Sequence, residues 1–264
     1  DKLIENISGD GIDEAKQRYI ISKYFNSRFY DFLDNSNSFT VEYINNDGNR
    51  GSIILEAKYN NYYNLNAWGI HFAPYQDGNY YDKKIYNDYA VLDLNVFMEE
   101  RADKFDDFID KFFLALNEKE ISKLIIDLRG NFGGSPQMSK TLLSYLIGEK
   151  TEYFTEDLPF LQRTLGFTDP ITPAENNFKG KSVIITNGAN FSTAAHFIAM
   201  VKYHKLGTLI GSKAGGSYVC TDSSKDMVLD NTRMRLHYST LVYELEVEGL
   251  PKNTGISPDI YVNE

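Results

Sequence analysis

Ser192 stands at a joint where an apolar strand, predicted at residues 183–186, gives way to an apolar helix, predicted at 193–203. A serine at the start of a helix is a common N-cap, because its hydroxyl accepts a hydrogen bond from one of the free N–H groups there. The same position suits a nucleophile, because the helix dipole and the N–H of Thr193 stabilise negative charge on an oxygen. Helix capping and acyl transfer are therefore both open to Ser192.

A glycine-rich turn follows another apolar strand in LIIDLRGNFGGS, residues 124–135. Gly130, Gly133 and Gly134 let the backbone turn tightly, with free N–H groups aimed at one point beside the positive end of a helix. Such a turn can hold a phosphate or an oxyanion. It is not a P-loop, because no Lys-Ser/Thr pair follows the glycines, and it lacks the Gly-x-Gly-x-x-Gly spacing of a dinucleotide site. The alternative is a tight strand-to-helix connection without chemistry.

Three motifs, in order between about residues 89 and 262, resemble those of one enzyme family. KLIIDLRGNFGGS resembles the Asp-Leu-Arg-x-Asn-x-Gly-Gly signature of the C-terminal processing, or tail-specific, serine peptidases and of the tricorn core peptidase. NFSTAAHFIAMVKYHKLGTLIGSKAGGS is similar to the nucleophile segment of that family, and GISPDIYV is similar to its closing Gly-Val-x-Pro-Asp strand.

The resemblance implies an α/β fold of the ClpP and crotonase type, with stacked β-α-β units, a mixed twisted sheet and flanking helices. It implies that Ser192 is the nucleophile of an acyl-enzyme peptidase. The oxyanion hole would consist of the N–H of Thr193 and that of Gly133 or Gly134. It also implies no cofactor, a polypeptide substrate that is unfolded or near a carboxyl end, and a location outside the cytoplasm (periplasmic, cell-surface or secreted).

The lysine that serves as base in the processing-peptidase branch is missing from this sequence. A serine nucleophile needs a base, and in that branch a lysine in a Gly-Lys-Gly turn after the serine supplies it. The corresponding turn here is Gly215, Gly216 and Ser217. Lys213 and Lys225 flank the turn, but neither matches the motif.

In the tricorn-like branch the base is a histidine upstream of the nucleophile, supported by a late acidic residue. That histidine usually precedes the helical region that opens this sequence, which predicts that the chain is a fragment lacking its base and weakly active by itself. Lys252 stands where the acid is often found, three residues before Gly255, although Glu244, Glu246 and Glu248 are near.

Two histidines of this chain are candidate bases. His196 lies four residues after Ser192, on the same helical face, so its side chain leans towards Ser192. Its apolar neighbours also make it a candidate for a packed core histidine. His71 alternates with apolar residues in WGIHFA, a predicted strand that could approach the site. His204 and His237 complete the set, and no pair has metal-ligand spacing, so we expect no metal.

The elements that position these residues alternate along the chain. A helix is predicted at 11–35, strands on both sides of the turn NNDG, and further strands up to residue 94. After residue 97, helices alternate with short apolar strands, which is typical of a largely parallel α/β sheet. We expect neighbouring strands at 123–128 and 182–187 and helices that begin near Ser135 and Ser192. The predicted domains are an N-terminal helical segment, 1–45, and a peptidase core, 46–264.

Composition excludes several classes of function. The 264 residues carry a formal net charge of −10 without a cluster of Lys and Arg, so we expect no nucleic-acid partner. No apolar run reaches the ~20 residues that span a bilayer. The single cysteine, Cys220, rules out an intramolecular disulfide and a cysteine zinc site.

The sequence thus predicts a serine endopeptidase that acts through Ser192. One alternative is a non-catalytic protein of the same fold that binds or scaffolds. The other is an acyl-CoA enzyme of the crotonase type, which the lack of a basic patch for the CoA phosphates disfavours.

Overall fold

The computed structural model describes residues 2–7, 14–57, 80–98 and 102–262. The chain forms two compact units, one of Asp1–Ile7 and Ile21–Gly78, the other of Ser8–Ile20 and Asn79–Glu264. A hairpin that begins before residue 45 continues to residue 56, and the division into domains at 1–45 and 46–264 stays a prediction.

The first unit contains a short 3-10 helix, Ile4–Asn6, and a β-hairpin. Helix α1, Ala15–Phe32, belongs to this unit from Ile21 onwards. Strands β1, Ser38–Ile44, and β2, Arg50–Glu56, pair antiparallel. Asn45 closes the turn between them, since its Oδ1 accepts hydrogen bonds from the N–H groups of Asp47 and Asn49. The predicted helix and the predicted strands around NNDG are confirmed.

The second unit is built on a six-stranded mixed sheet, in the order β12-β7-β6-β5-β4-β3. Only the edge strand β3 runs antiparallel to its neighbour. The strands are β3 Tyr81–Ile85, β4 Ala90–Leu94, β5 Lys123–Asp127, β6 Lys181–Thr186, β7 Thr208–Gly211 and β12 Ile260–Tyr261. The predicted α/β class and the adjacency of the strands at 123–128 and 182–187 are therefore confirmed.

Alternating side chains of these strands form the core. The register aligns Leu92, Ile126, Ile184 and Leu209 in one fully buried row across four strands. Because successive side chains of a strand point to opposite faces, this row places the intervening residues on the other face.

Helices cover the sheet, and two of them begin directly after the predicted start signals. The amphipathic helix α2, Ala102–Glu118, buries apolar side chains at helical spacing: Phe105, Ile109, Phe112, Phe113 and Leu116. Ser135 immediately precedes α3, Pro136–Ser144, and Ser192 immediately precedes α5, Thr193–Tyr203. A five-residue helix, α4, spans Phe160–Thr164.

Two short hairpins complete the second unit. Strand β8, Val219–Asp222, pairs with β11, Leu241–Glu244, and β9, Lys225–Val228, pairs with β10, Arg235–Tyr238. Within the described ranges, none of the helices combines the length and the apolar character needed to cross a membrane.

Candidate functional site: two turns at the ends of parallel strands

Ser192 occupies a strained backbone position at the start of α5. Its φ of 53° and ψ of −135° lie in a region that L-residues other than glycine rarely adopt. Ser192 is the N-cap by position, but its side chain makes no capping hydrogen bond. The hydroxyl is half-exposed and is therefore not committed to stabilising the helix.

The glycine turn after β5 lies directly against Ser192. A Cβ on Gly133 would stand 2.9 Å from each of Phe191 O, Ser192 Cβ and Thr193 N, and Gly133 has a φ of 106°. The Thr193 hydroxyl donates a hydrogen bond of 2.6 Å to the carbonyl of Gly134. Because β5 and β6 are parallel neighbours, their carboxyl ends bring these two turns to one edge of the sheet.

The backbone donors of the glycine turn are not equivalent. The N–H of Gly133 is already bonded to Asn131 Oδ1, at 2.8 Å. The carbonyl of Gly133 accepts the N–H of Phe97 at 2.9 Å. In a trans peptide the C=O and the following N–H point in opposite directions, so the N–H of Gly134 points away from Phe97.

Gly134 and Thr193 thus offer the two available N–H groups. Neither N–H has a hydrogen-bond partner among the described residues, and Gly134 is exposed. The N–H of Thr193 is free because it lies in the first turn of α5. Gly130, the third glycine of the predicted set, instead donates its N–H to Asn187 Oδ1 at 3.2 Å.

The start of helix α1 lies on these turns, which the sequence did not reveal. The ring of Tyr19 stands 6.0 Å from that of Phe132, and Lys16 Nζ lies 4.3 Å from the ring centre of Phe191. Phe132 and Phe191 precede Gly133 and Ser192 and contact each other with centroids 5.2 Å apart. An aromatic pair therefore backs the two turns.

His196 is packed in the core, in agreement with one of the two alternatives for it. Its imidazole is 1% exposed and lies edge-on to the rings of Tyr153 and Phe154, at 6.4 and 5.5 Å. Neither ring nitrogen has a hydrogen-bond partner among the described residues. Burial lowers the pKa of His196 to about 3, so the ring is a weak base.

The described part of the chain gives Ser192 Oγ no hydrogen-bonded base. The turn of residues 215–217, where the processing branch has its lysine, is hydrogen-bonded to the turn that carries Ser192, since Gly216 donates its N–H to Asn190 O at 2.9 Å. Ser217 is buried there, and its hydroxyl donates to the carbonyl of Val219. The other candidate base, His71, lies outside the described residues.

Lys252, found at the position of the expected late acid, is paired. Its Nζ lies 2.5 Å from Glu244 Oε1, and this hydrogen bond raises the pKa of Lys252. Glu244 ends β11, whereas the exposed Glu246 and Glu248 follow it outside the strand. Of these three acids, Glu244 is therefore the one that contacts Lys252.

Three buried asparagines hold the two turns together, and sequence reasoning missed them. Asn131, Asn187 and Asn190 are at most 4% exposed and hydrogen-bond to backbone groups of both turns. The available signal was their position directly after two strands, where short amides commonly satisfy turn backbone. Over the described residues, no cluster of three or more His, Cys, Asp or Glu is arranged to hold a metal ion.

An open hollow beside α3 lies apart from these residues. Lys140, Gly166 and Asp169 contribute to its lining, and none of the residues named above in the two turns does. Lys140 is buried, and its ammonium donates to the carbonyls of Gly166 and Asp169 at 3.0 and 2.7 Å. Its charge is therefore engaged in holding the segment after α4.

The sequence profile of peptidase family S41 matches residues 88–262, a range that contains both turns and more than half of the chain. The chain belongs to peptidase family S41. No curated protein is significantly similar to it in sequence.

Solved structures of three other proteins share the fold of this S41 chain at low identity. Mature CPAF in complex with lactacystin is 13% identical with a TM-score of 0.57, and 86% of this chain covers 63% of that one. The photosystem II D1 C-terminal processing protease is 13% identical with a TM-score of 0.50, covering 85% of this chain and 56% of its own. A Bacteroides fragilis protein described as an S41 protease is 16% identical with a TM-score of 0.50, covering 90% and 63%. This chain thus spans less than two thirds of each of them.

Proposed function

We propose that this S41 peptidase chain cleaves polypeptides through an acyl-enzyme on Ser192. The observation that carries the proposal is the strained backbone of Ser192 in direct contact with Gly133. Strain in a non-glycine residue persists only where its surroundings impose it, and it concentrates at functional sites. A nucleophile on a sharp strand-to-helix turn presents its oxygen in this way.

In this proposal the N–H groups of Gly134 and Thr193 form the oxyanion hole. Ser192 Oγ attacks the scissile carbonyl, and the carbonyl oxygen becomes negatively charged as the tetrahedral intermediate forms. Two N–H donors and the dipole of α5 stabilise that charge. The general base takes the hydroxyl proton of Ser192 and passes it to the leaving amine as the C–N bond breaks. Water that gives a proton to the same base then hydrolyses the acyl-enzyme and restores the Ser192 hydroxyl. Gly133 acts by its size, since a side chain there would displace the turn that carries Ser192.

The general base in this proposal comes from outside the described residues. Ser192 Oγ has no partner among them, and the turn of Gly215, Gly216 and Ser217 has no lysine where the processing branch has one. His71 is therefore the candidate within this chain. Without a base, an oxyanion hole and binding alone retain an acceleration on the order of 10³ to 10⁴ over water. Unfolded or carboxyl-terminal polypeptide as the substrate, and a location outside the cytoplasm, likewise remain proposals.

A fluorophosphonate probe tests the nucleophile, because only an activated serine reacts with it. We expect labelling at Ser192, its loss in Ser192→Ala, and normal labelling in Ser223→Ala. Ser223 is a matched control, since it is also a serine with a φ of 54° but lies in a hairpin without a glycine turn against it. Labelling that survives Ser192→Ala would refute the proposal.

The absence of a hydrogen-bonded base within the described residues favours a second candidate, a non-catalytic member that binds polypeptides. It predicts that the native chain is not labelled and yet binds an unfolded protein. A large slowing of labelling in His71→Gln would instead support a catalytic chain in which His71 is the base.

A further inference from the structure

Asn190 connects the turn that carries Ser192 to the glycine turn. Its carboxamide is fully buried. Nδ2 donates hydrogen bonds to Leu128 O at 2.6 Å and to Asn131 O at 3.2 Å. Oδ1 accepts the N–H of Asn187 at 2.7 Å. Both amide hydrogens therefore hold the start of the glycine turn, while the oxygen holds the strand end that leads to Ser192.

Further hydrogen bonds extend from Asn190 and its neighbour. Asn187 Oδ1 accepts the N–H of Gly130 at 3.2 Å, so the two turns are bonded in both directions. The backbone carbonyl of Asn190 accepts the N–H of Gly216 at 2.9 Å, which adds the turn at 215–217. One residue thus ties together three turns around Ser192.

Asn131 transmits this connection to the proposed oxyanion donor. Its backbone carbonyl is held by Asn190, and its side chain bonds Gly133 N–H at 2.8 Å and Leu94 O at 2.9 Å. With its N–H bonded to Asn131 and its carbonyl bonded to Phe97, Gly133 is held on both sides, and its carbonyl orients the peptide that carries the Gly134 N–H. The direction of the Gly134 N–H follows from these contacts.

We propose that Asn190 is a positioning residue that sets the spacing between Ser192 Oγ and the N–H of Gly134, an inference that rests on the proposed function. Asn190 does not touch the substrate. An oxyanion donor must lie within about 2.7 to 3.1 Å of the developing charge, and a displacement of about 1 Å costs on the order of 10²-fold in rate. Losing the Asn190 hydrogen bonds frees the two turns to separate.

The test compares Asn190→Asp with Asn177→Asp. Both replacements conserve shape and change a buried amide that donates to two backbone carbonyls into an oxygen that repels them. Asn177 donates to the carbonyls of Ser144, which ends α3, and of Ile147, away from the two turns. Because Asn177 Oδ1 also accepts Lys179 Nζ at 2.6 Å, the stability of each variant is measured and its activity is read where it is fully folded. A purely structural role predicts that the activity of both variants follows only the folded fraction.

Two measurements distinguish a positioning role of Asn190 from a purely structural role. We expect amide hydrogen exchange at Gly133 and Gly216, whose N–H groups are hydrogen-bonded to Asn131 and Asn190, to accelerate about tenfold or more in Asn190→Asp but not in Asn177→Asp. We expect the rate of fluorophosphonate labelling, and kcat on an unfolded polypeptide, to fall about 10²-fold in Asn190→Asp, with KM changed by less than about threefold. Asn177→Asp should keep both rates within about threefold.

Equal effects in the two variants, or accelerated exchange confined to residues 187–190, would overturn the positioning role. A native chain that is not labelled would contradict the proposed function instead, and the exchange measurement would still decide whether Asn190 couples the turns. If Asn190→Asp fails to fold, Asn190→Ser and Asn177→Ser, which retain one donor each, give the same comparison.

Discussion

Acidification is expected to destabilise the second unit through His196. This imidazole is buried between Tyr153 and Phe154, and neither of its nitrogens has a partner among the described residues. Burial in apolar surroundings disfavours the charged form, so the pKa of His196 is lowered from 6.5 to about 3. The unfolded chain therefore binds one more proton than the folded chain across that interval.

The size of the effect follows from this difference in pKa. When folding lowers the pKa of a group, its contribution to stability is fully present at pH values above its pKa in the unfolded chain. This contribution is lost as the pH falls towards its pKa in the folded chain. The loss is about 1.4 kcal/mol per pH unit once the unfolded state is protonated. Between pH 7 and pH 4.5 it amounts to about 2.5 kcal/mol, and it changes little if the folded pKa is one unit higher.

Urea unfolding of the native chain and of His196→Leu, at several pH values, measures the contribution of His196 to the free energy of unfolding. Other groups also respond to acidification, among them Asp93, whose pKa is raised by burial and by the nearby Asp127. The difference between the two proteins cancels their contributions. We expect the native chain to lose about 2.5 kcal/mol relative to His196→Leu between pH 7 and pH 4.5. Parallel curves would show that the folded protein accommodates the imidazolium, and would refute the reasoning.

Three further outcomes are expected from single substitutions. Ser192→Gly should raise the free energy of unfolding by about 1 kcal/mol, because glycine removes the strain at this φ. Ser192→Ala should change the free energy of unfolding by less than about 1 kcal/mol, because no capping bond is lost. Gly133→Ala should destabilise by about 2 to 4 kcal/mol and abolish labelling of Ser192, whereas Gly148→Ala, which meets no atom within 4 Å, should be neutral. Lys140→Met should cost about 1 kcal/mol in urea unfolding, because the partly buried carbonyls of Gly166 and Asp169 lose their donor, and a neutral result would contradict its structural role.

The sequence was sufficient for elements whose pattern is local. Apolar runs at 124–126 and 183–185 identified two central strands, and the glycines after the first identified the turn that meets Ser192. The pairing of β1 with β2 across residue 45 is a contact between segments, which periodicity does not record.

Details of the site depend on packing and could not be read from residue types. The positive φ of Ser192 is imposed by tertiary contacts, since an isolated serine avoids it. The sequence left Gly133 and Gly134 equivalent, because residue types alone do not show that the side chain of Asn131 turns back to accept the N–H of Gly133. His196 has helical spacing suited to a base, yet the rings of Tyr153 and Phe154 arrive from distant parts of the chain.

Because β5 and β6 are parallel, the turns that precede them lie at the end of the sheet opposite to Ser192. These preceding turns are available for protein engineering. The turn of Lys119 and Glu120 precedes β5, is exposed, and contributes nothing to the two turns around Ser192. Glu120 has a φ of 54°, so a glycine-rich linker would suit its conformation. A fluorescent domain inserted there would report on this protein in cells without lengthening any segment that bears on the chemistry.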